Sequence, residues 1–197
     1  MGYLKYLKRA YKQLNKPEGQ VLRSILAERR TELRNSAPIV RLEHPTRVDQ
    51  ARKYGFKSKQ GFAIARVRIR SGGMRKARPS RGSRPKHFAI EKITTGKSIQ
   101  RIAEERANRR FSNMEVLGSY PVFKDGKNHW FEIVLVDSKH PAVQTDRDVC
   151  WIAEKQHRKR AQRGLTPAGI KGRGLGQRGL GSVRSRPSIR ANRKRAK

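Results

Sequence analysis

Not one aspartate or glutamate falls within residues 155–197, a stretch that carries fifteen lysines and arginines, and none falls between Asp49 and Glu91. Like charges at that density repel one another, so a chain built this way folds only where acids or apolar residues return, and elsewhere waits for an anionic partner. The imbalance is uneven: residues 1–36 hold nine basic and three acidic residues, and residues 37–154 hold 25 and 12. Within residues 111–154 the acids outnumber the bases seven to four. The expected organisation is a basic N-terminal helical pair over residues 1–36, a folded domain over 37–154 and a Gly/Arg-rich tail over 155–197. The tail and a basic loop over Ser71–Lys86 lack apolar periodicity and are expected to order only on binding.

The whole chain sums to a net charge of +34, from 49 basic and 15 acidic residues among 197, which argues for a polyanionic partner. The longest strongly apolar run, Ile133–Val136, is far short of the roughly 20 residues that span a bilayer, so no membrane association is expected. Lys5, Lys8, Arg9 and Lys12 interrupt any secretory apolar stretch after Met1. Cys150 is the single cysteine, which excludes an intrachain disulfide and a Cys-rich zinc site. An intracellular protein without metal or cofactor is expected.

Periodicity places the elements. Tyr3, Leu4, Leu7, Tyr11 and Leu14 recur at helical spacing among lysines, and after Pro17 the face Val21, Leu22, Ile25, Leu26 and Leu33 predicts a second helix ending near Asn35. Ile39–Leu42 reads as a short strand and Arg47–Tyr54 as a short helix closed by Gly55. Gly61–Arg70 alternates, with Ala63, Ala65, Val67 and Ile69 on one face and Phe62, Ile64, Arg66, Arg68 and Arg70 on the other. Ser98 is placed to cap a helix running to about Arg110, with Ile99, Ile102, Ala103 and Ala107 inward. Glu115–Phe123 and Asn128–Val136 are β-rich runs on either side of Asp125-Gly126, a strong hairpin signal. This order predicts an α+β fold with a small, mainly antiparallel sheet packed with helices.

No catalytic constellation stands out. Gly174–Gly179 matches the spacing of a dinucleotide-binding turn but has no strand before it, and Gly96-Lys97-Ser98 lacks the first glycine of a phosphate loop, with Glu91 in its place. Glu104 and Glu105 point to different helix faces, which predicts ordinary ion pairs with arginine rather than an acid and base acting together. The five histidines show no metal-ligand spacing.

Cations dominate instead. Arg66, Arg68 and Arg70 stand at roughly 7 Å intervals on one strand face, and Arg75, Lys76, Arg78, Arg81, Arg84 and Lys86 continue the charge without an acid, a pattern that predicts nucleic-acid binding. Lys57 and Lys59 flank an aromatic turn in which Tyr54, Phe56 and Phe62 either stack on bases or fill the core, as do Phe88 and Trp151 elsewhere. In the tail, glycines let the backbone approach phosphates while Arg158, Lys159, Arg160, Arg163, Lys171, Arg173, Arg178, Arg184, Arg186, Arg190, Arg193 and Arg195 supply attraction.

The stretch Pro45-Thr46-Arg47 through Ala51-Arg52-Lys53-Tyr54-Gly55-Phe56-Lys57-Ser58-Lys59-Gln60-Gly61 resembles the archaeal and eukaryotic ribosomal protein fifteen family of the large subunit. Ala103–Ala107, Leu117–Tyr120, Glu132–Asp137 with His140-Pro141, Arg163–Thr166, Ala168-Gly169 and Arg173–Leu175 agree in order, so the resemblance covers nearly the whole chain. It implies a structural component of the cytoplasmic large ribosomal subunit, with ribosomal RNA and neighbouring subunit proteins as partners, no small-molecule substrate and no catalytic residues. From composition alone, a chromatin-like architectural DNA binder is the alternative; an RNA-processing enzyme lacks a nucleophile or acid/base set.

Overall fold

Asp125-Gly126 closes the hairpin around which the rest is built. In the computed structural model, which describes residues 2–74, 82, 84, 94–176 and 185, strands β3 (Met114–Lys124) and β4 (Asn128–Asp137) pair antiparallel on either side of that turn. The Asp125 carboxylate accepts from Gly126 N at 2.7 Å, and Asp125 N donates to Asn128 O at 2.8 Å. β4 pairs on its other edge with β2 (Phe62–Arg70), and β2 with the short β1 (Ile39–Leu42), giving an antiparallel sheet of order β1-β2-β4-β3.

Alternation divides the sheet into two covered faces. Ala63, Ala65, Val67 and Ile69 of β2 join Phe131, Ile133 and Leu135 of β4 on one face, against Ala103 and Ala107 of α4 (Ile99–Arg110). The two alanines let that helix lie close, and the Ser98 side chain caps its N-terminus by accepting from Arg101 N. On the other face Ile64, Val134, Val136, Leu117 and Tyr120 pack with Ala51 of α3 (Val48–Lys53), Phe56, Val143 of α5 (Pro141–Gln144), Val149 and Ile152. Gly55, with φ of +85°, ends the α3 turn and points Phe56 inward. At the β3 irregularity between Val116 and Gly118, a Cβ on Gly118 would sit 2.5 Å from the Tyr54 ring, so only glycine lets Tyr54 stack on Tyr120.

The N-terminal pair is less embedded than its apolar pattern predicts. α1 (Gly2–Lys12) contributes no fully buried residue, and α2 (Gln20–Asn35), entered through a 3-10 turn at Pro17–Gly19, buries Leu26 and Leu33. Val21 and Ile25, expected on the inner face, are 72% and 41% exposed because α2 meets the domain along one edge only.

Two further expectations are corrected. The chain beyond Lys155 is folded at its start, with a 3-10 turn at Lys155–His157, then α6 (Arg160–Arg163) and α7 (Pro167–Gly172); Ala161 is fully buried in the first core. Glu104 makes no ion pair among the described residues: it is fully buried and accepts from the Ser119 and Thr166 hydroxyls, both at 2.5 Å, which fastens α7 and β3 to α4. Burial raises the Glu104 pKa, against the pull of those two hydroxyl bonds. Glu115 adds a second fastening by accepting from Lys159 N at 2.8 Å and Arg160 N at 3.3 Å, with Lys159 in the left-handed region at φ +53°. Glu105, by contrast, pairs with Lys97, Arg101 and Arg109, as expected of the adjacent acid.

Deleting the C-terminal fastening removes the Thr166 bond from Glu104, leaving Ser119 alone, and takes both backbone donors from Glu115. Each unsatisfied buried acceptor costs about 1–3 kcal/mol, more if charged, against a total stability of about 5–15 kcal/mol. A chain ending at Gly176 is therefore expected to melt within a few degrees of the full chain, whereas one ending at Glu154 loses most of its cooperative transition in thermal unfolding followed by circular dichroism.

Candidate nucleic-acid interface

The expected cations do not converge on one pocket. Lys57 and Lys59 lie in the loop before β2, and Arg70 ends that strand, so the two groups are separated by roughly 26 Å of extended chain. An open groove of about 740 Å³ between β1 and the loop is lined by Arg41, His44, Phe56, Lys57, Ser58 and Lys59, and a second of about 560 Å³ on the other side includes Arg52, Lys53 and Lys57. Together they make a basic ridge with one buried anion beneath it.

That anion is Asp146. Its carboxylate takes Lys57 at 2.7 Å and Lys59 at 2.5 Å, Lys57 also reaches Asp148 at 2.7 Å, and the Asp148 N–H closes the turn onto Asp146 at 3.1 Å. The bonds from Lys57 and then Lys59 hold the Asp146 carboxyl well below the usual carboxylate range, and the same contact raises Lys57. Both lysine side chains stay more than a third exposed, so the acid sets the position of the ammonium groups without removing them from an incoming phosphate.

The arginine row on β2 is graded rather than uniform. Arg66 is half-buried opposite Glu132 in a cleft it shares with Arg29, Glu32 and Leu33 of α2, and burial lowers its pKa while Glu132 and Glu32 pull it back. Arg68 donates to the Arg34 carbonyl at 2.5 Å, and Arg70 is exposed with a 3.3 Å bond to Gly73 O. Glu132 anchors this face: fully buried, it accepts from Tyr120 Oη at 2.6 Å and from Thr46 N at 3.1 Å, and Tyr11 Oη of α1 donates to Thr46 O at 3.3 Å. Arg47 lies over the Tyr11 ring at 4.3 Å.

At the C-terminal end, Arg158, Lys159, Arg163 and Lys171 are exposed, whereas Arg160 is buried. The Arg160 guanidinium donates to Val116 O at 2.9 Å and Leu165 O at 3.3 Å and covers the Trp151 ring at 4.7 Å, so its charge is directed inward. Arg173 is half-buried, bonded to Gly164 O at 3.3 Å. Arg84 is exposed, and Arg75, Lys76, Arg78, Arg81, Lys86, Arg178, Arg184, Arg186, Arg190, Arg193 and Arg195 lie outside the described residues, as does Phe88. Tyr54, Phe56 and Phe62 take the core alternative, and Trp151 packs edge-on against His157.

Exposed cations absent from the expected set include Lys5, Lys8, Arg9 and Lys12 on α1, Arg41, Arg52 and Lys53 around the ridge, and Arg106, Arg109 and Arg110 on α4. For one of them the signal was present: on α4 helical spacing turns Arg109 away from the inward Ala103 and Ala107, whereas Arg110, at the last position of the helix, follows their side.

With this geometry in view, comparison with known proteins gives a consistent result. A family model described as Ribosomal L15 matches residues 2–192. The chain is 48% identical over 181 residues to Large ribosomal subunit protein eL15 of Methanospirillum hungatei, covering 92% of each chain. It is 45% identical to the protein of that name from Methanocella arvoryzae and 48% to that from Methanococcoides burtonii, each over 192 residues, 98% of this chain and 96% of the relative.

The Asp146 contacts have a sign in pH. A carboxyl whose folded pKa is depressed contributes stability that is complete above its unfolded value, near about 3.9, and fades as pH falls toward the folded value. Asp146→Asn is thus expected to lower the melting temperature at pH 7, and the gap from the parent protein should narrow steadily below about pH 4. A gap independent of pH would show that the loop is held by packing alone.

Proposed function

Because the chain belongs to the Ribosomal L15 family, we infer that it is a structural component of the large ribosomal subunit that binds ribosomal RNA by neutralising closely spaced phosphates. It is a cytoplasmic ribonucleoprotein component serving translation, not an enzyme. The observation that carries the mechanism is the segregation of charge: Glu104, Glu115, Glu132 and Asp146 are turned inward, while the exposed surface of α1, the 57–59 ridge, Arg70, α4 and the 158–171 segment is cationic. A surface of this kind, with open rather than enclosed grooves among the described residues, suits a broad polyanion.

Within that reading, Lys57, Lys59, Arg70, Arg84, Arg158, Lys159, Arg163 and Lys171 take phosphates directly. Arg66, Arg68, Arg160 and Arg173 hold the elements that present them. The cations at 75–86 and 178–195 extend the same neutralisation along the chain, so that RNA helices that repel one another approach across the protein. Neighbouring subunit proteins complete the environment. The family match favours RNA over the DNA-binding alternative.

Every neutralised phosphate adds about 0.7–0.9 to the magnitude of the slope of log affinity against log salt, so tens of contacts make release steeply salt-dependent. Release from isolated large subunits is expected only at molar salt, and ribonuclease, not deoxyribonuclease, should free the protein from native material. Release at physiological salt would refute the neutralisation mechanism.

A further inference from the structure

α1 displays aromatic rings where a basic helix of a soluble domain ordinarily displays only charge. Tyr3 is 57% and Tyr6 69% exposed, and the two stand one turn apart at i and i+3, on the same side of the helix. The half-buried positions of α1 are Leu4, Leu7 and Tyr11, and Tyr11 is fixed by its bond to Thr46 O and by Arg47 over its ring; Tyr3, which spacing placed with them, is instead open to solvent. Tyr3 and Tyr6 are therefore not needed to seat the helix. Around them Lys5, Lys8, Arg9 and Lys12 are all exposed, none has an ion-pair partner among the described residues, and the first acid of the chain is Glu18.

We propose that the exposed Tyr3–Tyr6 ridge of α1 is a stacking platform for unpaired RNA bases, whose phosphates are taken by Lys5, Lys8, Arg9 and Lys12. The charge selects a polyanion and excludes an uncharged apolar partner. The rings select, among polyanions, one that offers flat apolar faces: duplex RNA keeps its bases stacked inside, whereas a single-stranded loop or bulge presents them. A tyrosine ring brings large contact area with little rotamer entropy to lose, and its face accepts any base, so this contact reads strandedness rather than sequence. The proposal rests on the RNA-binding reading above and adds a second mode to it, distinct from phosphate neutralisation because it removes no charge when mutated.

The test uses the full chain and two RNA probes, an unstructured pyrimidine strand carrying 5-iodouridine and a blunt hairpin duplex, at salt high enough to weaken loose phosphate attraction. Tyr3→Ala with Tyr6→Ala is expected to weaken binding of the single strand by about tenfold or more, to leave duplex binding within about twofold and to leave the salt slope unchanged. Tyr3→Phe with Tyr6→Phe should restore single-strand binding, while Tyr3→Leu with Tyr6→Leu, which keeps apolar area without a ring face, should not. Photo-cross-links from 5-iodouridine should map to Tyr3 and Tyr6. Cross-links confined to other parts of the chain, equal losses for both probes, or full binding by the leucine pair, as an apolar protein-docking face would give, would each overturn the platform. Failure of both probes to bind the parent protein would instead refute the RNA-binding reading.

Discussion

The scarce carboxylates hold this protein together. With 15 acids against 49 bases, an ordinary surface lattice of ion pairs is unattainable, and four of the acids are placed where they fasten separate parts of the chain together. Glu104 joins α4 to β3 and to α7; Glu115 joins β3 to the start of α6; Glu132 joins β4 to β3 and, through Thr46 and Tyr11, to α1; Asp146 fixes the loop before β2. Three of the four bind hydroxyls and backbone N–H groups in preference to lysine or arginine side chains. Buried carboxylates of that sort cost desolvation, which hydrogen bonds from neutral donors offset without consuming surface cations.

The consequence for function is an inside–outside division of charge. Because Glu104, Glu115, Glu132 and Asp146 lie beneath the surface, the exposed lysines and arginines far outnumber the acids left outside, such as Glu18, Glu28, Glu43 and Asp148, and the net field is positive, which suits recognition of phosphate chains over recognition of any single group. The two-sided covering of the sheet matters to the same end. Its faces are occupied by protein, so loops, helix backs and strand ends rather than the sheet form the outer surface, and of the arginine row of β2 only Arg70 is exposed.

Local signals were legible in the sequence and distant ones were not. The Asp-Gly hairpin, the Ser98 cap, the Gly55 stop and the alternation in β2 each depend on neighbours within a few residues, and each stands where the pattern puts it. The inward set of α2 was overdrawn, since helical spacing marks a stripe wider than the domain contacts. Docking of residues 159–173 was invisible because it depends on few apolar groups, chiefly Ala161, and on bonds to acids more than forty positions away, such as Glu115 to Lys159. For the same reason Lys57 and Arg160, alike in a list of cations, differ once folded: one stands on a ridge over Asp146, the other covers Trp151 and caps carbonyls.

The sheet order β1-β2-β4-β3 carries a consequence for the time course of synthesis. β2 pairs with β4 in a register that joins Phe62 to Val136 and Arg70 to Asn128, so the central pairing waits until more than fifty intervening residues have left the ribosome that makes them. The acid-free stretch of residues 50–90 thus emerges first, with its apolar strand face uncovered and little compensating charge, and Glu104, Glu115, Glu132 and Asp146 arrive afterwards. Contacts of such long sequence separation form late because the loop entropy is lost before they are gained. Until β4 emerges, that basic segment therefore lacks both its strand partner and the acids that fasten it.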